Sequence, residues 1–312
     1  MSIFAIPSRH SAALAVALAC ALPMVAPAAP LAIDLSQYTL LNSYALPSVA
    51  AEEASAITYN WDTDSLFVLG DEGDALVEVS MTGVQLSVMT LTGFADTEGL
   101  TYVGGGRFVL TEERLRDAYR VTYVGGGTLD RAALPFADLG ATVGNVGIEG
   151  ISFDPRDGSF VTVKEVSAQE VNRNAITFGN PGVATVTSLF SPALGVADLS
   201  DVQVLAAVPS LAAGVDADNL LIFSQESRRL LEVDPHGAIL SSFDFSSLAS
   251  DAEGVTIDFD GNIYVVAETG PTLLVLSAPQ PVPLPPSMAL AASGLALLLT
   301  VNLFSLRASP GA

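Results

Sequence analysis

Residues 253–268 read Glu253-Gly-Val-Thr-Ile-Asp-Phe-Asp-Gly-Asn-Ile-Tyr-Val-Val-Ala-Glu268. The first part alternates between polar or small residues and apolar ones, and the last part is a short apolar run; both patterns are typical of β-strands. Between them, Asp258-Phe-Asp-Gly-Asn262 has the Asp-Gly chemistry of a hairpin turn. The segment therefore predicts a β-hairpin with a glutamate at each end.

The same hairpin recurs along the chain. Its first strand begins at Ser55, Glu98, Glu149, Ser200 and Glu253, at intervals of 43, 51, 51 and 53 residues. A third strand usually follows, as in residues 75–80, 119–123, 229–234 and 272–277. Several strands per repeat at this period are the signature of a β-propeller, in which each repeat forms one blade. The sequence thus predicts an all-β propeller with five blades.

A propeller must close into a ring, and the fifth repeat ends after Leu276 without a fourth strand. Residues 38–46 form an unassigned strand ahead of the first repeat. Pairing this N-terminal strand with the last blade would close the ring and protect both edges. Two alternatives stay open: a sixth blade drawn from residues 179–199 or 209–219, and a two-sheet β-sandwich, which does not need the repeat.

Acidic residues mark both ends of the hairpins. The first strand starts at Glu98, Glu149 and Glu253 in three of the repeats. The second strand is followed by, or ends on, the acids Asp71, Glu112, Glu165, Glu226 and Glu268, which with the three first-strand glutamates make eight. Glu72 and Glu113 directly follow two of them. These two points lie side by side in an antiparallel hairpin. With the first strand innermost, the carboxylates converge on one mouth of the central channel.

Carboxylates crowded in this way raise one another's pKa or recruit a cation. Oxygen ligands favour a hard divalent ion, so the sequence predicts a Ca²⁺ site formed by these eight acidic residues. In the alternative interpretation, the glutamates accept hydrogen bonds from the backbone of neighbouring blades and only hold the ring together.

The 312-residue chain is 50% hydrophobic, which is ample for a core, and its formal net charge is −22. All 34 acidic residues lie between Asp34 and Glu268. This charge argues against nucleic acid or an anionic membrane surface as a partner, because both repel it. Cys20 and His10 belong to the N-terminal signal described next. Outside that signal His236 is the single histidine, and one histidine is too few for a multi-histidine zinc site and argues against most histidine-dependent triads.

Residues 1–28 have the pattern of a secretory signal peptide. Arg9 supplies the positive charge, an apolar run extends from Ser11 to Leu22, and Ala26-Pro-Ala28 provides the small residues of a cleavage site. The alternative, an N-terminal membrane anchor, would need a longer apolar run. The sequence therefore predicts an exported protein.

The C-terminal end carries a second signal. Residues 279–286 are a proline-rich spacer, residues 287–306 are uncharged and long enough to cross a bilayer, and residues 307–312 form a short tail. This order resembles the PEP-CTERM sorting signals of Gram-negative bacteria, which implies processing by an exosortase peptidase. Val282-Pro-Leu-Pro285 stands where Pro-Glu-Pro is usual, and Arg307 alone replaces a basic cluster. A plain C-terminal membrane helix is the alternative.

Both interpretations of the tail predict at least a transient attachment to the membrane. The expected location is the periplasm, the outer surface or the extracellular matrix of a Gram-negative bacterium.

Three repeats carry a Glu-Gly-hydrophobic motif, at Glu98, Glu149 and Glu253, with a further glutamate about fifteen residues later. Together with Ser224-Gln-Glu-Ser-Arg-Arg-Leu-Leu-Glu-Val-Asp234, this pattern resembles the SdiA-regulated (YjiK-type) family of exported bacterial β-propellers over residues 37–277. The resemblance implies a propeller that can bind calcium, in a family without a settled activity. The chain departs from the pattern at Asp201, where a glycine is expected, and at the insertion 209–219.

These features predict that residues 33–278 form a calcium-stabilised propeller that binds an extracellular polysaccharide, a peptide or another surface component without catalysis. The alternative is a calcium-dependent hydrolase, a lactonase or a phytase-like esterase, with a metal-activated water as nucleophile and one glutamate as general base. An acidic surface repels a phosphate substrate, so among enzymes a neutral lactone is favoured. Propellers host both kinds of role, so the fold does not choose between them.

Overall fold

The computed structural model describes residues 32–278 except residues 72–73, 142–143, 145 and 167. In this part of the chain the strands form five sheets, which are the five blades of a propeller around a central channel. The predicted five-bladed all-β propeller is therefore confirmed. Residues 1–28 and 279–312, with the predicted signal peptide and sorting signal, lie outside the described residues. Within the described ranges, no helix has the length and apolarity to span a bilayer.

The chain begins with the short 3-10 helix η1 (Leu35–Gln37) and strand β1 (Thr39–Ala45). Blade 1 consists of β2 (Ala54–Asn60), β3 (Ser65–Gly70), β4 (Ala75–Val79) and β5 (Gln85–Thr92). Blade 2 consists of β6 (Thr97–Gly104), β7 (Arg107–Glu112), β8 (Asp117–Thr122) and, after β9 (Thr128–Asp130) and η2 (Arg131–Ala133), β10 (Phe136–Asp138). β9 leaves its own blade and pairs in parallel with β5 of blade 1.

Blade 3 consists of β11 (Gly150–Asp154), β12 (Ser159–Lys164), β13 (Glu170–Thr177) and β14 (Val183–Phe190). Blade 4 consists of β15 (Asp201–Val204), η3 (Leu205–Ala207), β16 (Leu220–Ser224), β17 (Arg229–Val233) and β18 (Ile239–Asp244). Blade 5 consists of β19 (Ala252–Ile257), β20 (Ile263–Ala267), β21 (Thr272–Ser277) and β1. Residues 179–199 thus supply the fourth strand of blade 3 rather than a sixth blade.

The core lies between the blades. The two inner strands of each blade are buried on both faces, as in β2 and β3, because neighbouring blades cover them on either side. This explains why the inner strands are short apolar runs, whereas an outer strand such as β14 is largely exposed. Between blades 1 and 2, for example, Phe67 packs against Phe108 with ring centroids 4.4 Å apart.

The N-terminal strand closes the ring as predicted. β1 pairs antiparallel with β21, from Thr39 opposite Ser277 to Ala45 opposite Thr272. This pairing gives blade 5 its fourth strand from the opposite end of the described chain. The two ends of the ring are therefore held together by backbone hydrogen bonds.

A second contact, which the sequence did not predict, strengthens this closure. Residues 33–38 lie against blades 4 and 5, where Leu35 is fully buried in their shared core. The backbone N–H of Ile33 donates to Asp216 Oδ2 (3.1 Å), and the hydroxyl of Tyr38 donates to the carbonyl of Gly261 (2.9 Å). Asp216 belongs to the insertion 209–219. One role of this insertion is therefore to hold the N-terminal segment.

The glycine of the Glu-Gly motif lets adjacent inner strands approach closely. A Cβ at Gly254 would lie 2.6 Å from the carbonyl oxygen of Ser55 and 2.9 Å from Cα of Ala56, and one at Gly150 would lie 2.6 Å from Cα of Asp201. Both contacts are with the backbone of the next blade, so a side chain cannot relieve them. The glycine is thus a packing requirement of the ring.

Replacing Gly254 with alanine should therefore destabilise the propeller by about 1–3 kcal/mol, the usual cost of overpacking a close contact. The matched control is Ala56→Gly at the same motif position of blade 1, which removes a methyl group and should cost about 0.5–1 kcal/mol. Urea unfolding of both variants measures the difference. A Gly254→Ala variant no less stable than Ala56→Gly would show that the blades can move apart.

Candidate cation-binding centre

The first residue of each motif lies at one mouth of the central channel, which we call the acidic mouth. In three blades this residue sits in a β-bulge, because the strand register shifts at Ser55, at Glu98 and at Glu253. A bulge bends the strand and re-aims the side chain. The inner strands contact one another around the ring, so these side chains converge.

The structure brings carboxylates from different blades within ligand distance of each other. Asp96, Glu98 and Glu113 of blade 2 each offer one oxygen, and these oxygens lie within 4.8 Å of one another. Glu113 also belongs to a second such group, with Glu149 and Glu165 of blade 3. Glu113 is thus the carboxylate that the two groups share.

Burial and mutual repulsion raise the pKa of the central glutamates. For Glu98, desolvation acts first, and the charges of Asp71, Asp96, Glu113 and Glu268 add to it. Desolvation likewise raises the pKa of Glu149, reinforced by Glu98 and Glu113. Without a cation, burial and repulsion therefore favour the protonated form of these acids.

Hydrogen bonds between carboxyl groups contribute to three of the raised pKa values, those of Glu253, Glu149 and Asp96. Desolvation, the charge of Glu268 and a hydrogen bond to Glu268 raise the pKa of Glu253, so Glu253 is the donor of that pair. A hydrogen bond to Glu113 contributes in the same way to the raised pKa of Glu149. A hydrogen bond between two carboxyl groups requires a proton on one of them. A divalent cation could replace these protons.

The other predicted ligands are placed differently. Asp71 lies at the acidic mouth, and its buried Oδ1 has no hydrogen-bond partner in the described part of the chain. Glu226 is exposed on blade 4, although its charge still contributes to raising the pKa of Glu165. Glu112 points away from the mouth: its Oε1 accepts the backbone N–H of Ala95 (3.1 Å), and its Oε2 lies 3.9 Å from Nη1 of Arg131.

Blades 1 and 4 have serine at the motif position and use it to join blades. The hydroxyl of Ser55 donates to the carbonyl of Thr97 (3.2 Å), and that of Ser200 donates to the carbonyl of Glu253 (3.4 Å). Asp201, which replaces the expected glycine, is buried and accepts the N–H groups of Val202 and Val255, both at 2.7 Å. At the first motif position, blades 1 and 4 therefore contribute hydrogen bonds between blades instead of a carboxylate.

The sequence places Glu113 at this mouth beside Glu112 but does not single it out as a ligand, and it does not predict Asp96 at all. Glu113 accepts the backbone N–H of Gly147 (2.9 Å), which turns its carboxylate toward blade 3. Asp96 pairs with Arg114 at 2.8 Å. An Asp-x-Glu spacing, repeated at Asp96-Thr-Glu98 and Asp251-Ala-Glu253, was the available signal for Asp96.

The residues fit a hard divalent cation. Every donor is a carboxylate oxygen, as Ca²⁺ prefers, and the buried Oδ1 of Asp71 adds an acceptor without a donor beside the same cluster. The raised pKa values of the central glutamates also fit a cation site, because a cation at this mouth would offset the repulsion between the carboxylates that favours their protonation.

The opposite mouth, which we call the hydroxyl mouth, is closed by hydrogen bonds between blades. The fourth motif residue of each blade lies here: Thr58, Thr101, Ser152, Gln203 and Thr256. Four of them accept a backbone N–H from the next blade at 2.9–3.1 Å, and Gln203 accepts the hydroxyl of Thr256 at 3.0 Å. The cavity left at this level measures about 10 Å³, which is room for about one water.

The raised pKa values predict a pH dependence in the absence of cations. Glu98, Glu149 and Glu253 have pKa values above the ordinary 4.5, so above that pH the folded state binds more protons than the unfolded state. Stability should therefore fall as pH rises, and urea midpoints in EDTA should be higher at about pH 5 than at about pH 8. Glu149→Gln should flatten the dependence. A midpoint independent of pH in the unsubstituted chain would contradict this prediction.

Several solved structures are similar to this chain at low sequence identity. The chain is similar to virginiamycin B lyase from Staphylococcus aureus (14% identity, TM-score 0.41), covering 76% of this chain and 69% of that one. It is also similar to the WD40 β-propeller domain of Doa1 (11% identity, TM-score 0.47), covering 78% of this chain and 98% of that one. A third similar structure is the β-propeller domain of Myceliophteria thermophila Cps50 (Swd1) (14% identity, TM-score 0.39), covering 73% of this chain and 65% of that one. The chain thus spans about two thirds of the length of the first and third of these structures.

The family described as SdiA-regulated has a sequence model that matches residues 32–276, which is most of the chain. The matched region runs from the N-terminal segment to the last strand of blade 5, and it includes every residue of the acidic mouth. The chain belongs to the SdiA-regulated family of proteins.

Proposed function

We propose that this protein is an exported, envelope-attached propeller that binds a surface component and is stabilised by Ca²⁺ at the acidic mouth. The observation that carries the proposal is the convergence, in one partly buried cluster, of five carboxylates from two blades: Asp96, Glu98, Glu113, Glu149 and Glu165. Uncompensated buried charge is costly unless it is paired or bound to a metal. Calcium is the ion of matching chemistry.

Asp96, Glu98 and Glu113 would form one half of the site, and Glu113, Glu149 and Glu165 the other. When bound, the cation supplies positive charge and joins blades 2 and 3 through oxygen ligands. The chain's own residues fix the cluster: Gly147 orients Glu113, and the bulge at Glu98 directs its side chain inward. This arrangement serves stability, since a ligand bound only to the folded state must stabilise it.

The ligand class follows from charge and shape. A chain with net charge −22 repels anionic partners, so a neutral polysaccharide or a cationic segment of a surface component fits better. The hydroxyl mouth leaves only about 10 Å³, so a ligand larger than a water molecule does not enter the channel from this side. An interaction module of this kind needs no nucleophile–base pair.

The test is the melting temperature of the chain after EDTA treatment and after adding Ca²⁺, Mg²⁺ or Zn²⁺. We expect a calcium-selective rise equivalent to about 2.7 kcal/mol when free calcium is about 100 times Kd. The absence of a shift with any of the three ions would overturn the calcium site and leave the carboxylates as scaffolding.

A calcium-dependent hydrolase is the second candidate, and one pocket favours it. A cavity of about 310 Å³ opens beside the acidic mouth and is lined by Glu52, Glu53 and Glu268, among others. The hydrogen bond between Glu253 and Glu268 raises the pKa of Glu253, so Glu268 is the carboxylate of the pair that could accept a proton from a reacting water. Lactone hydrolysis that requires calcium and is lost in Glu268→Gln would select this function. A calcium-stabilised but inactive protein would select binding.

Export and attachment complete the proposal. The signal peptide at residues 1–28 and the C-terminal segment at residues 279–312 support secretion followed by tethering. The partner of that segment would be either a sorting peptidase or the bilayer itself. Mass spectrometry of the protein from a Gram-negative host distinguishes the two, because processing shortens the tail.

A further inference from the structure

Aromatic residues surround the small cavity at the hydroxyl mouth. Four blades contribute them: Tyr59 and Trp61 from blade 1, Tyr102 from blade 2, Phe153 from blade 3 and Phe259 from blade 5. Neighbouring blades are joined through these rings. Trp61 meets Tyr102 edge-on with ring centroids 4.5 Å apart, and Tyr59 meets Phe259 edge-on at 5.4 Å. The hydroxyl mouth is therefore rimmed by aromatic rings.

Packing between blades explains some of these rings but not all of them. Tyr59 and Tyr102 are 8% and 1% exposed and belong to the hydrophobic cores on either side of blade 1. Trp61 and Phe153 are only half-buried, and Phe259 is 38% exposed in the turn of blade 5. The mouth thus offers aromatic surface to a ligand.

Aspartates of two blades place negative charge beside these rings. The hydroxyl of Tyr59 donates to Asp64 Oδ1 at 2.9 Å. Burial and this hydrogen bond raise the pKa of Tyr59, and the charges of Asp64, Asp258 and Asp260 raise it further. The turns of blades 1 and 5 therefore act together on one ring of the mouth.

The arginines on this side of the ring leave that charge in place. Arg156 pairs with Asp154 at 2.8 Å and with Asp218 at 2.7 Å. Arg107 is exposed, and its Nε donates to the carbonyl of Gly104 at 3.2 Å. Within the described ranges, the aspartates in the turns of blades 1 and 5 form no ion pair: Asp62, Asp64, Asp258 and Asp260.

Charge by itself does not mark a ligand site here, because aspartates also stabilise turns. Asp258 Oδ1 accepts the backbone N–H groups of Asp260 (2.9 Å) and Asn262 (2.8 Å). The distinctive feature is the combination of carboxylates with partly exposed rings. The face of an aromatic ring attracts a cation through its quadrupole, and a carboxylate beside the ring adds a charged acceptor. Both features favour a cationic ligand.

We propose that the hydroxyl mouth binds a basic peptide segment, with arginine side chains against the rings of Trp61 and Phe259 and beside the aspartates of blades 1 and 5. This inference rests on the binding role in the proposed function and adds the face and the chemistry of the ligand. Arginine fits better than lysine, because its planar guanidinium stacks on aromatic rings and donates to carboxylates in pairs. The peptide lies on the rim, since the cavity beneath holds about one water.

The experiment titrates the full chain with a hexa-arginine peptide in about 0.15 M salt, which screens long-range attraction to an acidic chain. Trp61 is the sole tryptophan, so its emission reports on this mouth, and calorimetry gives the Kd. Asp260→Asn removes an exposed charge at the hydroxyl mouth. Asp74→Asn is the matched control, because Asp74 is also exposed but precedes β4 on the acidic side of blade 1. Phe259→Leu keeps an apolar side chain without an aromatic face.

We expect a saturable change in Trp61 emission, and a Kd that rises about two- to fivefold in Asp260→Asn and in Phe259→Leu. Asp74→Asn should leave the Kd unchanged. Equal weakening by the two aspartate substitutions would overturn the site, because it would indicate attraction to the whole acidic chain. An unchanged Kd in Phe259→Leu would overturn the role of the rings.

A glucosamine oligomer is titrated in parallel as a cationic ligand of another class. If it bound with this dependence on the variants while hexa-arginine did not, the peptide would be the wrong ligand. Calcium-dependent melting is measured on the same samples. A chain that is stabilised by calcium but binds no peptide would contradict this inference alone, whereas peptide binding without calcium stabilisation would contradict only the cation site.

Discussion

Replacing Glu113 with glutamine should abolish the calcium-dependent rise in melting temperature. Glu113 is the carboxylate shared by the two ligand groups, so both lose a charged oxygen at once. In EDTA the same substitution should raise the melting temperature, because it removes one of the charges that repel Glu98 and Glu149. Glutamine keeps an oxygen to accept the N–H of Gly147, so the fold should be retained.

The neighbouring residue provides the control. Glu112 and Glu113 are each 3% exposed, but Glu112 faces Ala95 and Arg131 instead of the acidic mouth. Glu112→Gln should therefore weaken stability equally with and without calcium and leave the calcium-dependent rise unchanged. Thermal melting of both variants in EDTA and in calcium gives the comparison. If Glu113→Gln kept the full rise, the shared-ligand site would be wrong.

Leu35→Ala should destabilise the propeller by about 2–5 kcal/mol, the range for truncating a fully buried leucine. Leu35 is 0% exposed and fills the core between blades 4 and 5, next to the closure of the ring. A propeller whose ends separate exposes strand edges, so we also expect faster proteolysis of the variant. Urea unfolding measures the loss, and limited proteolysis shows where the chain opens.

Leu41→Ala is the matched control, because it makes the same change six residues along the N-terminal segment. Leu41 is 60% exposed and lies at the irregularity in the β1–β21 pairing. Its truncation should change stability by no more than about 0.5 kcal/mol. Similar losses in the two variants would show that closure depends on the β1 pairing and not on the buried clamp formed by residues 33–38.

The repeated hairpin could be predicted from the sequence because the features that define it lie within a few residues of one another. Alternation, Asp-Gly turns and short apolar runs define each hairpin without reference to distant residues, as in Glu253–Glu268. Ring closure followed from one further argument, that an unpaired strand at the N-terminus matches a missing strand in the last blade. Both conclusions agree with the five sheets and the β1–β21 pairing.

The composition of the site was harder to predict. The sequence indicated that acids converge on one mouth, but adjacent residues of a strand face opposite sides, so a choice between Glu112 and Glu113 depends on register. That register is set by the bulge between Thr97 and Gly99, which pairs Thr97 with Glu112 and turns Glu98 into the channel. The position of a bulge depends on packing between blades.

The sequence by itself therefore determined the number of blades, the closing strand and the acidic character of one mouth. Only the tertiary structure decided which carboxylates share a site, that Thr58 and its counterparts bind the next blade, and that the insertion holds the N-terminal segment. The reason is physical. Hairpins form from contacts between near neighbours in sequence. By contrast, the contacts of Glu113 with Gly147, of Ile33 with Asp216 and of Tyr59 with Thr256 join residues 34, 183 and 197 positions apart, and they exist only once the blades have packed together.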